Sequence, residues 1–199
     1  MVDILLYGVI VLHKKAIFLD RDGTINEDVG YLYRIEDLEF IPGSLEAMRL
    51  LQEDFLLFII TNQQGISQKV FSEKDFLDFN QKFLDILEEK GIKIVEVYYC
   101  PHTKEDNCRC RKPKTFFLEK AERDHCLDIK NSYMIGDHSS DIETGLKLDM
   151  KTIYLLTGHG KMDFDKLKVK PDHIAEDLYQ AAMWIKNKAD KDNDDDRRI

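Results

Sequence analysis

Asp20 and Asp22 stand two residues apart in the run Asp20-Arg21-Asp22-Gly23-Thr24. Two carboxylates on a turn that Gly23 can sharpen are able to divide a reaction between them. One attacks phosphorus; the other gives a proton to the leaving oxygen and later activates water. The pair is unspecific by itself, since an Asp-rich turn or a calcium loop offers the same residues. The calcium loop is disfavoured because its closing glutamate is missing. A carboxylate that attacks a phosphate dianion meets like-charge repulsion, which a divalent cation, a fixed Lys or Arg and hydrogen-bond donors must offset. The chain offers each. Asp137, after Gly136, is a hard oxygen ligand suited to Mg²⁺ with Asp20 as its partner. Lys112 or Lys114 can neutralise phosphoryl oxygens, and Thr61 and Asn62 can donate hydrogen bonds.

A second constellation is Cys100-Pro101-His102, a gap of five residues, then Cys108-Arg109-Cys110. Three thiols and an imidazole suit tetrahedral Zn²⁺, and a full protein ligand set reads as a structural site. The competing account is a set of reduced loop cysteines. The loop runs straight into Arg111 and Lys112, so zinc would hold those cations in place. Cys126 stands apart and is expected on a helix, buried or half-buried.

These residues need a frame. Ala16-Ile17-Phe18-Leu19 reads as a buried strand ending at Asp20. Ser44 is a candidate cap for a helix carrying Leu45, Met48 and Leu51. Residues 55–60 read as a strand, ending at Thr61-Asn62. Ser72 caps a helix with Phe76, Phe79, Phe83, Leu84 and Leu87 on its apolar side, stopped by Gly91. Further strands are expected at 92–99, 132–135 and 152–156, and helices at 115–125, 142–148 and 176–186. Strand and helix in turn mean an α/β fold: a doubly wound, mostly parallel sheet with helices on both faces. Ligands bind beyond the carboxyl ends of such strands, and Asp20, Thr61, Asn62 and Asp137 all fall there. No stretch is long enough for a large cap domain.

The 199 residues suffice for one well-buried domain, expected over 15–187, with an extension at 1–14 and a charged tail at 188–199. The apolar run Ile4 to Leu12 is too short to span a bilayer and lacks the flanks of a secretory leader; an extra strand or extension is expected. A net charge of -9 disfavours nucleic acid and anionic membrane as partners, yet a local cationic pocket can still take a small anion. Thiol ligands point to the cytosol, and a lidless chain of this size to a monomer. There is no P-loop and no G-x-G-x-x-G after the first strand, which sets aside kinase and dinucleotide readings. A DNA phosphatase would want a basic stripe. The rival from another class is a zinc-stabilised, non-catalytic binding domain, which would have no use for Asp20, Asp22, Lys112 and Asp137.

Over residues 15–160 the chain resembles the haloacid dehalogenase superfamily of aspartate-nucleophile phosphatases, through Asp20-Arg21-Asp22-Gly23-Thr24, Thr61-Asn62, Lys112 and Gly136-Asp137 with Asp141. The resemblance implies Asp20 as nucleophile, and Asp22 as acid/base that also lends its backbone carbonyl to Mg²⁺. It implies Thr61 and Asn62 as phosphoryl binders and Lys112 as the steadying cation. Asp137 would be a Mg²⁺ ligand, Asp141 an aid to the metal site and Arg111 a substrate-phosphate contact. The Cys/His loop followed by Arg-Lys-Pro is similar to two groups of that superfamily, the D-glycero-D-manno-heptose 1,7-bisphosphate 7-phosphatases and the histidinol-phosphatases. Phe18 to Asn26, then Asp28-Val29-Gly30-Tyr31 and Phe40-Ile41-Pro42-Gly43, resemble the heptose group more closely, with Asp28 and Tyr31 as candidate contacts to the distal part of a phosphorylated sugar; other small sugar phosphates remain alternatives. Two stretches depart from the heptose group. Gln68-Lys69 stands where it typically has Arg-Gly, and Lys114-Thr115 follows Pro113 where it usually has Pro-Gly.

Overall fold

Runs of apolar residues too short for helices form six of the strands, and these assemble into one parallel sheet. The computed structural model describes residues 2–4 and 10–196. Residues 5–9 of the apolar N-terminal run and 197–199 of the expected tail lie outside the described residues. β1 (Val2–Ile4) and β2 (Ile10–Leu12) pair antiparallel as a separate two-stranded unit. The main sheet contains β3 (Ala16–Leu19), β4 (Leu56–Asn62), β5 (Ile94–Cys100), β6 (Tyr133–Gly136), β7 (Lys151–Leu155) and β8 (His173–Ala175). Its order is β5-β4-β3-β6-β7-β8, and every neighbouring pair is parallel. The chain leaves β3 outward through β4 and β5, then returns to the other side of β3 with β6. That reversal opens a crevice beyond the carboxyl end of β3.

The helices α1 (Ser44–Leu51), α2 (Glu73–Glu89), α3 (Phe116–His125), α4 (Ser139–Leu146), α5 (Gly160–Asp163) and α6 (Leu178–Asp196) cover the sheet. Side chains alternate along a strand, so each strand feeds two cores. Ile17, Leu19, Leu57 and Ile59 pack with Met48 and Leu51 of α1, Phe79 and Phe83 of α2, and Leu178 and Ala182 of α6. Ala16, Phe18, Phe58 and Ile60 face the other way, against Leu118 and Ala121 of α3. The Phe18 and Phe58 rings stack at 5.0 Å. Each Leu, Ile, Phe or Met side chain among them contributes about 1.5–3 kcal/mol when taken fully out of water, and close packing of such side chains holds the frame beneath the site.

Local differences from the sequence reading have physical causes. Ser72 does cap α2, through a capping box with Asp75. Ser44 is instead buried as the first residue of α1, and Gly43, left-handed, is the cap. Cys126 is exposed rather than buried: α3 ends at His125, and Cys126 takes the left-handed position just past it, turning its side chain out. Helix α6 continues to Asp196, through most of the expected tail. Residues 188–196 contain no Gly or Pro, so a helix nucleated on the core can propagate along them.

Candidate active site

Asp20 follows β3 and stays in register, its N–H donating to Ile135 O of β6 at 2.9 Å. Asp137 follows β6 in the same way, and Asp141 lies in the first turn of α4, where Oδ2 accepts the N–H of His138 at 3.0 Å. Two adjacent strand ends and one helix start thus converge. Carboxylate oxygens of Asp20, Asp137 and Asp141 lie within 4.8 Å of one another, all three residues buried. Lys112 enters from beyond β5: its Nζ is 2.9 Å from Asp20 Oδ1 and 2.6 Å from Asp141 Oδ1, and donates to Ile60 O at 2.8 Å. This decides between the two lysines, because Lys114 Nζ donates to Asn107 Oδ1 at 2.9 Å and to Cys108 O, latching the Cys/His loop instead.

Three carboxylates share one ammonium, and the imbalance shows. Burial pushes the Asp20 carboxyl up to about 7 against the pull of Lys112. Burial, then repulsion by Asp20 and Asp141, pushes Asp137 up to about 8. Burial alone would lower the Lys112 ammonium; Asp141 and Asp20 overcome it and keep the group charged. Asp137 Oδ2 accepts the N–H of His159 at 2.8 Å, while Oδ1 is buried with no hydrogen-bond partner among the described residues. The backbone closes tightly around this carboxylate. A Cβ on Gly23 (φ +79) or on Gly158 (φ +50) would lie 2.3 Å from Asp137 Oδ2. Hard oxygen donors, an orphaned buried oxygen and excess negative charge are what a small divalent cation fits.

The raised values carry a pH dependence whose sign is fixed. The folded chain keeps protons that the unfolded chain, with carboxyls near 3.8, has already lost. The centre's contribution to stability therefore falls as pH rises from about 4 to about 8. We expect the melting temperature of metal-free protein to fall across that range, and Mg²⁺ to raise it more at pH 8 than at pH 5. Thermal unfolding by circular dichroism checks this; an equal Mg²⁺ shift at both pH values would contradict the assignment of the centre.

Above the centre lies a cavity of about 660 Å³, whose lining includes Asp20, Asp22, Asp28, Tyr31, Thr61, Asn62, Arg111 and Lys112. Asp137 and Asp141 sit beneath it, fully buried. Asp22 faces the cavity with its carboxylate held by Arg21, Asn26 and Gln63. Arg21 itself is fully buried, its guanidinium over the Phe79 ring at 4.9 Å. Asn62 Oδ1 accepts the N–H of Lys112 at 3.1 Å, which leaves the NH₂ of Asn62 for a phosphoryl oxygen. Asp28 Oδ2 pairs with His159 Nε2 at 3.1 Å, and Tyr31 OH donates to Gln68 Oε1 at 2.5 Å.

The Cys/His loop leaves β5 at Cys100. Sγ atoms of Cys100, Cys108 and Cys110 are 3.2 to 3.6 Å apart, and His102 Nδ1 is 3.6 Å from Cys100 Sγ and 3.4 Å from Cys110 Sγ. With Zn–S bonds of about 2.3 Å, tetrahedral ligands sit roughly 3.8 Å apart, so the four atoms suit zinc with a slight expansion. Burial pushes the Cys100 and Cys110 thiols up, a cost that a bound cation would reverse. The loop then fixes Arg111: Nη1 donates to His102 O at 2.8 Å and Nη2 to Gln64 Oε1 at 3.1 Å.

The structure therefore brings together Asp20, Asp22, Asp28, Tyr31, Thr61, Asn62, Arg111, Lys112, Asp137 and Asp141 in one crevice, with the Cys/His loop as its wall. The sequence analysis singled out none of Arg21, Gln63, His138 and His159. His138 and His159 line the cavity with their rings 5.0 Å apart. The signal for His159 was present, since Thr157-Gly158-His159-Gly160 follows a strand end as Asp20 and Asp137 do.

Comparison with known proteins agrees with this geometry. A family model described as HAD-hydrolase-like matches residues 109–181. A D-glycero-alpha-D-manno-heptose-1,7-bisphosphate 7-phosphatase of Campylobacter jejuni is 45% identical over 151 residues, covering 75% of this chain and 87% of the relative. A D-glycero-beta-D-manno-heptose-1,7-bisphosphate 7-phosphatase of Pasteurella multocida is 37% identical over 180 residues, covering 87% of this chain and 97% of the relative. The crystal structure of a D,D-heptose 1,7-bisphosphate phosphatase from B. bronchiseptica, complexed with magnesium and phosphate, superposes with a TM-score of 0.82 at 26% identity, covering 87% of this chain and 99% of that one.

Proposed function

This chain belongs to the heptose-bisphosphate 7-phosphatase family of haloacid dehalogenase-like hydrolases, and on that premise we propose that it removes the 7-phosphate of D-glycero-D-manno-heptose 1,7-bisphosphate through an aspartyl-phosphate on Asp20. The observation that carries the reading is the Asp20–Lys112 pair, set over two further buried carboxylates at the floor of a cavity wide enough for a sugar. Asp20 Oδ1 is held twice, by Lys112 Nζ at 2.9 Å and by the Arg21 N–H at 2.7 Å. Oδ2 is thereby the attacking atom. It bonds to phosphorus as the bond from phosphorus to the sugar oxygen breaks, and Asp22 gives that oxygen a proton. Asp22 then takes a proton from a water that attacks the aspartyl-phosphate, which releases inorganic phosphate and restores Asp20. Lys112, the Thr61 hydroxyl and the Asn62 amide hold the phosphoryl oxygens. Asp20, Asp137 and the Asp22 carbonyl would hold Mg²⁺, with Asp141 acting through Lys112, and the ion would supply positive charge to those oxygens. Arg111 meets a substrate phosphate, and Asp28 and Tyr31, which line the same cavity, meet the distal part of the sugar. Thiolate ligands suit a reducing compartment, and the reading includes the cytosol and a monomer. No described helix is long and apolar enough to cross a membrane.

Steady-state kinetics with Mg²⁺ test the reading, using both anomers of the heptose bisphosphate, histidinol phosphate and other sugar phosphates. The expected result is a kcat/KM for one heptose bisphosphate anomer at least about a hundredfold above every other substrate, a discrimination of the size that polar-group recognition supplies. A preference for histidinol phosphate would overturn the substrate and keep the chemistry.

Zn²⁺ at Cys100, His102, Cys108 and Cys110 fits the same reading as a structural ion. Cys110→Ser is expected to lose bound zinc by elemental analysis and to raise KM through a loosened Arg111, with the Mg²⁺ dependence unchanged. Wild-type protein purified without zinc would remove the assignment.

A further inference from the structure

Both oxygens of the Asp22 carboxylate are already hydrogen-bonded, each by two donors. Oδ1 accepts from Arg21 Nε at 3.1 Å and from Asn26 Nδ2 at 2.9 Å. Oδ2 accepts from Arg21 Nη2 and from Gln63 Nε2, each at 2.9 Å. Four donors fill the lone pairs of a carboxylate. A proton can be carried to a leaving oxygen only if one of these contacts yields. The guanidinium contacts are charge-assisted and the stronger ones. The two amide contacts are neutral, and they differ in place: Asn26 is fully buried behind the loop, whereas Gln63 lines the cavity.

Gln63 is also held from behind. It is 5% exposed, its N–H donates to Cys100 O at 2.7 Å, and the same Nε2 that reaches Asp22 donates to Thr61 Oγ1 at 2.8 Å. One primary amide, fixed at the end of β4, therefore spans from the proton-transfer carboxylate to the phosphoryl-binding hydroxyl.

We propose that Gln63 is a positioning residue that aims Oδ2 of Asp22 at the leaving oxygen, making Oδ2 the atom that exchanges the proton. The inference rests on the role given to Asp22 above. Gln63 touches no reacting atom; it acts through Asp22 and sets the distance between proton donor and phosphoryl group.

Leaving-group dependence tests it. The alcohol of a sugar phosphate needs a proton as it departs, and p-nitrophenolate does not. The ratio kcat/KM reports only the steps through formation of the aspartyl-phosphate, so the later activation of water does not enter it. Gln63→Leu is expected to lower kcat/KM for the heptose bisphosphate by about tenfold to a hundredfold, part of the contribution typical of general acid catalysis, and to lower that for p-nitrophenyl phosphate at least fivefold less. With the aryl ester, kcat and KM are expected to fall together as hydrolysis of the intermediate slows. Gln63→Met serves with the same expectations if Gln63→Leu does not fold. Equal losses on both esters would show a merely structural role and overturn the proposal, as would no loss on either. Asp22→Asn is measured alongside. If it shows no leaving-group dependence, the assignment of Asp22 fails; if it does and the Gln63 variants do not, the positioning role alone fails.

Discussion

Asp20→Asn is expected to leave a folded protein whose turnover of every phosphate ester is at least about 10⁴-fold lower, since the amide cannot form the mixed anhydride with phosphate. The structure adds a second expectation, one that a bystander residue would not meet. Asp20 is a buried carboxyl pushed up to about 7, so its ionised form is a burden on the folded chain. Removing that charge takes one of three mutually repelling carboxylates from the centre, and Lys112 keeps its partner Asp141 at 2.6 Å. The metal-free variant is therefore expected to melt at or above the wild-type temperature at pH 8. Kinetics and thermal unfolding on one preparation check both halves. Turnover retained within about a hundredfold of wild type would remove Asp20 as nucleophile, and a wild type with no turnover of any phosphate ester would leave a zinc-stabilised binding domain as the better account.

Replacing Lys112 has the opposite effect on stability. Its ammonium is buried between Asp20 and Asp141, and no second cation reaches either carboxylate at the floor of the cavity among the described residues. Lys112→Met strands two buried carboxylates without a cation, at a cost of about 3–5 kcal/mol before they take up protons to relieve it. Activity is expected to fall about 10²–10³-fold, the scale of losing one fixed donor at a developing anion. Lys112→Arg should not rescue it, because a planar fork cannot fill a space that fits one ammonium between two carboxylates and the Ile60 carbonyl. Urea unfolding gives the stability change directly. A loss below about 1 kcal/mol would mean the pair behaves as a surface ion pair and the site is wetter than its geometry shows.

Much of this centre is legible in the chain because its parts obey one positional rule. Asp20, Thr61 and Asp137 each follow a short apolar run, and a parallel sheet collects the carboxyl ends of such runs along one edge. The Cys/His ligands are legible for another reason: they lie within eleven residues and need no tertiary contact to find one another. What escapes the sequence is pairing across distance. Nothing near Asp141 announces Lys112, and nothing near Asp28 announces His159; those partners meet only once β5, β6 and β7 have joined β3 in one sheet. Nothing in the run Asp20-Arg21-Asp22 announces that Arg21 lies buried, its guanidinium over the Phe79 ring and paired with Asp22. Helix boundaries were the other weak point. Where propensity and packing disagree, as at Ser44 and along 188–196, packing and propagation from a docked turn decide.

The strand order has a bearing on how the enzyme comes into being. The proposed nucleophile, Asp20, follows the first strand of the sheet to leave the ribosome, but its carboxylate neighbours follow β6, and the loop that closes over Asp137 follows β7. Thr157 Oγ1 donates to Gly23 O at 2.6 Å, so the catalytic turn itself is finished by a segment made well over a hundred residues later. A nascent chain can pair β3, β4 and β5, fold the Cys/His loop and still be chemically silent. On the proposed mechanism, hydrolysis waits for the last third of the polypeptide, which carries Asp137 and Thr157.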